Sequence, residues 1–137
     1  MFLILVLVAV WLANANAQLE YELPRKLKAT FMKLNEKYNA HLVWNEDVEG
    51  EALQVSADPQ AFDFTDLKIR ARMKFIKSDN STLEKKIRKT LKNHFKRRAN
   101  QLKRLPEGTN YGCAGIFNTK GGDNLMSVAC LYYHFFL

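Results

Sequence analysis

The stretch Leu67 to Ile76 constrains the fold most. Leu67, Ile69, Ala71, Met73 and Phe75 alternate with Lys68, Arg70, Arg72 and Lys74. A two-residue period is that of an extended strand. One face of this strand is apolar and the other wholly basic. Its backbone needs neighbouring strands, and its apolar face needs a layer packed against it. Two further strands read from Thr109 to Phe117 and from Asn124 to Tyr133. Thr119 to Asp123, rich in residues that tolerate positive φ, makes the turn between them.

Three helices supply the covering layer. Arg25 to Ala40 places Leu27, Phe31, Leu34 and Tyr38 on one face, and Pro24 precedes it. A short extended piece, His41 to Trp44, leads to Asn45, which can cap a second helix reaching about Ala57. Glu46, Asp47 and Glu49 crowd that helix's positive end. Val48, Ala52 and Val55 or Ser56 form its narrow buried face. The third helix runs from about Leu83 to Leu105, with Leu83, Ile87, Leu91, Phe95, Leu102 and Leu105 as its apolar stripe. Pro106 and Gly108 end it. The fold class expected is α+β, an α-β-α sandwich with helices on a small antiparallel sheet and a C-terminal hairpin.

The first 17 residues carry no charged side chain. Phe2 to Leu12 is apolar over the length of a signal-peptide core and short for a bilayer span. Ala15 and Ala17 stand at −3 and −1 for cleavage before Gln18. The expected organisation is a signal peptide over residues 1–17 and one domain over 18–137. The sequence from Gln18 onward offers no stretch suited to a membrane span. In a secreted chain the only two cysteines, Cys113 and Cys130, suggest a disulfide. Asn80-Ser81-Thr82 is an N-glycosylation acceptor in a polar run, so Asn80 is the expected glycan site.

The chain carries 21 basic and 14 acidic side chains, unevenly placed. Lys85, Lys86, Arg88, Lys89, Lys92, Lys96, Arg97, Arg98, Lys103 and Arg104 follow one another with no acid among them. Asn45 to Leu67 holds seven acids and no Lys or Arg. Two readings compete. One is a solvated helix face neutralised by the acidic segment. The other is a surface for polyanions, formed by Lys85, Arg88, Lys89, Lys92, Lys96, Arg97, Arg98, Lys103 and Arg104. Outside the cell its partner would be a heparan-like polymer or an anionic lipid, with no cofactor required. Phe95, the one aromatic within the run, belongs to the apolar stripe, which gives base stacking little support.

Sequence signals for catalysis are sparse. His41, His94 and His134 fall on different elements without metal-ligand spacing, so no metal site and no catalytic residue is assigned. No nucleophile elbow, phosphate loop or dinucleotide fingerprint occurs. A non-enzymatic binding or signalling role is expected. An unrecognised enzyme would have only these histidines for acid–base work.

Several segments resemble the CAP superfamily of cysteine-rich secretory and antigen 5 proteins, in a short, nematode-like secreted form. They are Leu34 to Tyr38, Leu42 to Asn45 with Val48 and Ala52, Pro106 to Ala114, and Val128 to Tyr132. The resemblance implies an SCP domain in which Cys113 and Cys130 join across the terminal strands. The family's cavity histidines would fall at Leu34 and near Ala99, which implies that its divalent-cation site is absent.

Overall fold

The computed structural model describes residues 20–61 and 65–134. The segment expected to be a signal peptide lies outside the described residues. Five strands form one sheet: β1 (Glu20–Glu22), β2 (Val43–Trp44), β3 (Leu67–Phe75), β4 (Asn110–Asn118) and β5 (Asn124–Tyr133). The order is β1-β4-β5-β3, with β2 also beside β4. β1 pairs with Ile116–Asn118 of β4, and β2 pairs with Asn110 and Tyr111 of the same strand. β2 runs parallel to β4, whereas the other pairings are antiparallel, so the sheet is mixed. The hairpin is where the turn residues put it. Asn118 closes the turn by accepting from the Lys120 N–H at 2.8 Å.

The helices are α1 (Lys28–Glu36), α2 (Glu46–Ala57), α3 (Leu83–Arg97) and α4 (Ala99–Arg104). Strand alternation divides them between two faces. Met126, Val128, Cys130 and Tyr132 of β5 enter one core with Phe31, Ile87, Leu91, Phe95 and Leu102 of α1, α3 and α4. Ala129 and Leu131 enter a second core with Val48, Ala52 and Val55 of α2. The result is an α-β-α sandwich, as the alternation and helical stripes require.

α2 sits very close to β4. A Cβ on Gly112 would fall 2.3 Å from the Glu49 nitrogen and 2.8 Å from the Val48 carbonyl carbon. Only glycine admits the helix backbone there. On the other face Cys113 lies directly opposite Cys130 in the β4–β5 register. Their disulfide has a Cα–Cα distance of 4.1 Å and is buried.

Two expected elements differ in extent. The helix expected over 25–40 is a 3-10 turn at Arg25–Leu27 followed by α1, which stops at Glu36. Asn39, just beyond, is buried and donates to the carbonyls of Leu102 (3.0 Å) and Leu105 (3.2 Å) while accepting from the His41 N–H. It is thereby committed to joining the end of α1 to the end of α4. The helix expected over 83–105 breaks at Arg98, whose φ and ψ are −103° and 10°. Arg98 stands three residues after Phe95, on the apolar stripe, where a continuous helix would bury a guanidinium at prohibitive cost. The break leaves Arg98 exposed and still buries Leu102.

Candidate functional site: a basic face on α3 and α4

Thr82 begins α3, its hydroxyl oxygen accepting from the Lys85 N–H at 3.2 Å. Ile87, Leu91 and Phe95 then take the stripe into the core. The helical period sends the remaining positions outward. Lys85, Arg88, Lys89, Lys92, Lys96, Arg97 and Arg98 are all exposed, as are Lys103 and Arg104 of α4. Arg98 is partly engaged, donating to Gln101 at 2.8 Å.

Lys86 is the exception in the run. It is only 4% exposed. Its ammonium donates to the carbonyl of Asp79 and to Ser81, lies 3.6 Å from the Asp79 carboxylate and sits over the Phe75 ring. It fastens the 78–82 loop to α3 and is not part of the exposed basic face. Hydrogen bonds from the Ser81 hydroxyl and N–H, with Lys86 nearby, hold the Asp79 carboxyl below the ordinary aspartate range. Asn80, in the same loop, is exposed.

The acids of α2 do not neutralise this face. α2 carries Glu46, Asp47, Glu49 and Glu51 and packs on the opposite side of the sheet from α3. The cations of α3 and the acids of α2 thus lie on opposite outer layers.

The basic side of β3 is also divided. Arg70 donates to the carbonyls of Val55 (3.0 Å) and Ser56 (3.1 Å), at the C-terminal end of α2. Lys68 donates to those of Pro59 (3.2 Å) and Ala61 (2.8 Å). The last turn of α2 contains no basic residue of its own. Arg70 therefore satisfies carbonyls that the helix leaves open and opposes its negative end, while Lys68 holds the segment after it. Burial, and then the neighbouring Arg72, lower the Arg70 pKa from the usual arginine value.

Two open clefts flank the contact between α3 and the edge strand β3. One, of about 440 Å³, is lined by Arg72, Lys89, Asn93, His94, Lys96 and Arg97, with Met73 and Thr90. The other, of about 330 Å³, brings His94, Arg97 and Arg98 beside Lys68, Ile69 and Arg70. Burial, and then the nearby Arg97 and Arg98, hold His94 below the ordinary histidine range, so these clefts draw their positive charge from Arg and Lys.

His41 follows α1, His94 lies on α3, and His134 follows β5. Among the described residues, no group of three or more His, Cys, Asp or Glu is placed to hold a metal ion. No described helix is long and apolar enough to cross a membrane.

Fold and surface together define a small α+β domain with one buried cross-strand disulfide and one strongly basic outer face. The chain belongs to the 15 kDa excretory/secretory protein family, whose model matches residues 30–134. It is 40% identical to the 30 kDa antigenic glycoprotein of Trichostrongylus colubriformis, over 88% of this chain and 89% of that protein. It is 35% identical to the 15 kDa excretory/secretory protein of Haemonchus contortus, over 96% of this chain and 97% of the relative. The protein is therefore a secreted, extracellular member of a nematode family. No solved structure matches the chain.

These matches overturn the CAP attribution. The segments that suggested it are short, and the structure gives each a local task that any lineage could meet. Asn45 caps α2, accepting from Asp47 and Val48 N–H groups. Gly112 admits α2, and Cys113 and Cys130 occupy opposing positions of a hairpin. Such features recur wherever a helix starts or two strands pair.

Proposed function

We propose that this secreted protein is a non-enzymatic binding protein whose basic face engages sulfated, heparan-like polyanions. The observation that carries the reading is the segregation of charge across the sheet. Nine exposed cations stand on α3, α4 and the Arg98 junction between them, while the acids of α2 occupy the opposite layer. Such separation leaves the field of the cations uncancelled, which favours the approach of a polyanion. Arg97, Arg98 and Arg72, around the clefts beside β3, offer planar forks suited to sulfate oxygens.

A glycan on Asn80 belongs to the same reading. Asn80 is exposed in the loop before α3, and one relative is named a glycoprotein.

Heparin chromatography tests the proposal. The protein should be retained, and its elution should move strongly with salt, as counterion release demands. The double variant R97E/R98E should remain folded and elute at clearly lower salt. Elution of this variant at the wild-type position would refute the reading.

A further inference from the structure

The side of α3 that turns toward α1 carries a second kind of site, which shares Lys89 and Lys96 with the cleft beside β3. Between α1 and α3 runs an open groove of about 630 Å³, within the roughly 300–1,000 Å³ usual for small-molecule pockets. Its floor is apolar, made by Leu34, Tyr38 and Phe95. The rings of Tyr38 and Phe95 meet edge to face at 5.7 Å. Its rim is cationic on both sides. Lys33 and Lys37 come from α1 and the turn after it, while Arg88, Lys89, Lys92 and Lys96 come from α3. No carboxylate is among the lining residues.

We infer that this groove binds a single-chain lipid with a phosphate headgroup. The inference goes beyond the polyanion reading and does not rest on it. A hydrophilic polyanion would pair with the rim and leave the apolar floor wet. A neutral lipid would cover the floor and leave six like charges crowded round it. A monoacyl phosphate meets both demands. Its chain removes the floor from water. Its headgroup carries about −1.5 to −2 charge and three strong acceptor oxygens, which suit several ammonium donors and the fork of Arg88.

The test is calorimetric titration of the secreted protein with oleoyl lysophosphatidic acid below its micelle concentration. Saturable one-to-one binding is expected. Glycerol 3-phosphate, monooleoylglycerol and oleate should each bind at least tenfold more weakly, because each lacks the chain or the phosphate. Leu34→Ser should weaken lipid binding at least tenfold while heparin elution stays at the wild-type position. R88E/K92E, at exposed positions that do not support the core, should abolish lipid binding. R97E/R98E, outside the groove, should leave lipid affinity unchanged while shifting heparin elution. This double dissociation separates failure of one reading from failure of the other. Absence of saturable binding, or wild-type lipid affinity in R88E/K92E, would overturn the inference. Equal affinity for glycerol 3-phosphate or for oleate would overturn it as well.

Discussion

The Tyr132 hydroxyl donates to the side-chain oxygen of Asn35, joining the last strand to α1 through the centre of the larger core. Both residues are fully buried. The Asn35 amide also donates to the Phe31 carbonyl at 2.9 Å and to Cys113 Sγ at 3.5 Å. One asparagine therefore spans helix, disulfide and strand. Burial, then electrostatic repulsion from the neighbouring Tyr111 phenol, pushes the Tyr132 phenol well above its ordinary value, so it remains a donor throughout the physiological range. Tyr132→Phe leaves a buried acceptor unpaired and should cost about 1–3 kcal/mol. Asn35→Ala loses several bonds and should cost more. In the double variant the two effects should not add. Urea unfolding of the four proteins measures this, and simple additivity would show that the pair is not coupled.

The bond between Cys113 and Cys130 closes a loop with a sequence separation of 17. Loop entropy alone makes it worth about 3 kcal/mol. The C113S/C130S variant should unfold at correspondingly lower denaturant. Unchanged stability would mean that the bond imposes no constraint the sheet had not already imposed.

Gly112 and Gly50 should respond to alanine in opposite ways. At Gly112 the new methyl meets the backbone of Val48 and Glu49, which cannot rotate aside, so α2 must move away from β4. A cost of about 1–3 kcal/mol follows from overpacking of this kind. At Gly50, inside α2, nothing lies within 4 Å, and alanine should stabilise by about 1 kcal/mol through helix propensity. Thermal melts of G112A and G50A check both, and a neutral G112A would show that the helix can slide.

Much of this architecture was legible because local physics enforces it. The alternation over Leu67–Phe75, the cap at Asn45 and the turn after Asn118 each act within a few residues of themselves. The cysteine pairing followed from having only two. β1, three residues long, gave no period to read. What tertiary packing decides was hidden. Lys86 looks like its neighbours in the run, yet Asp79 and Ser81 draw it inward. Lys68 and Arg70 belong to the basic side of a strand by their alternation, yet Arg70 is used by the end of α2 and Lys68 by the segment that follows it. The groove between α1 and α3 joins residues some fifty positions apart, and no local pattern announces it. The basic face itself was visible in the sequence. Its isolation from the acids of α2 was not, because that depends on which side of the sheet each helix takes.

Acid should weaken the fold in two windows. The His94 pKa is lowered in the folded protein, chiefly by burial. The unfolded chain therefore takes the proton first, near about pH 6.5, and stability falls as the pH drops through that value. His94→Gln should flatten this part of the profile. The Asp79 carboxyl is also lowered, by the Ser81 hydroxyl and N–H and by Lys86. Its contribution is complete above the unfolded aspartate pKa and is lost as the pH falls through the lower folded value. Asp79→Asn should remove that second loss. Stability measured from pH 8 to 3 gives both slopes, and a wild-type slope in H94Q would assign the first window to another group.

The 78–82 loop carries the proposed glycan site just before the start of α3. Asn80 is exposed, while the Thr82 hydroxyl, needed by the acceptor motif, caps the helix in the folded protein. Asn80→Gln should lose the glycan and change stability by less than about 0.5 kcal/mol. Thr82→Ala should lose the glycan and also about 1 kcal/mol of capping energy. Thr82→Ser should keep both, since its hydroxyl serves motif and cap alike. Mass before and after deglycosylation, together with a thermal melt, separates the three. A glycan mass retained in N80Q would place the modification elsewhere.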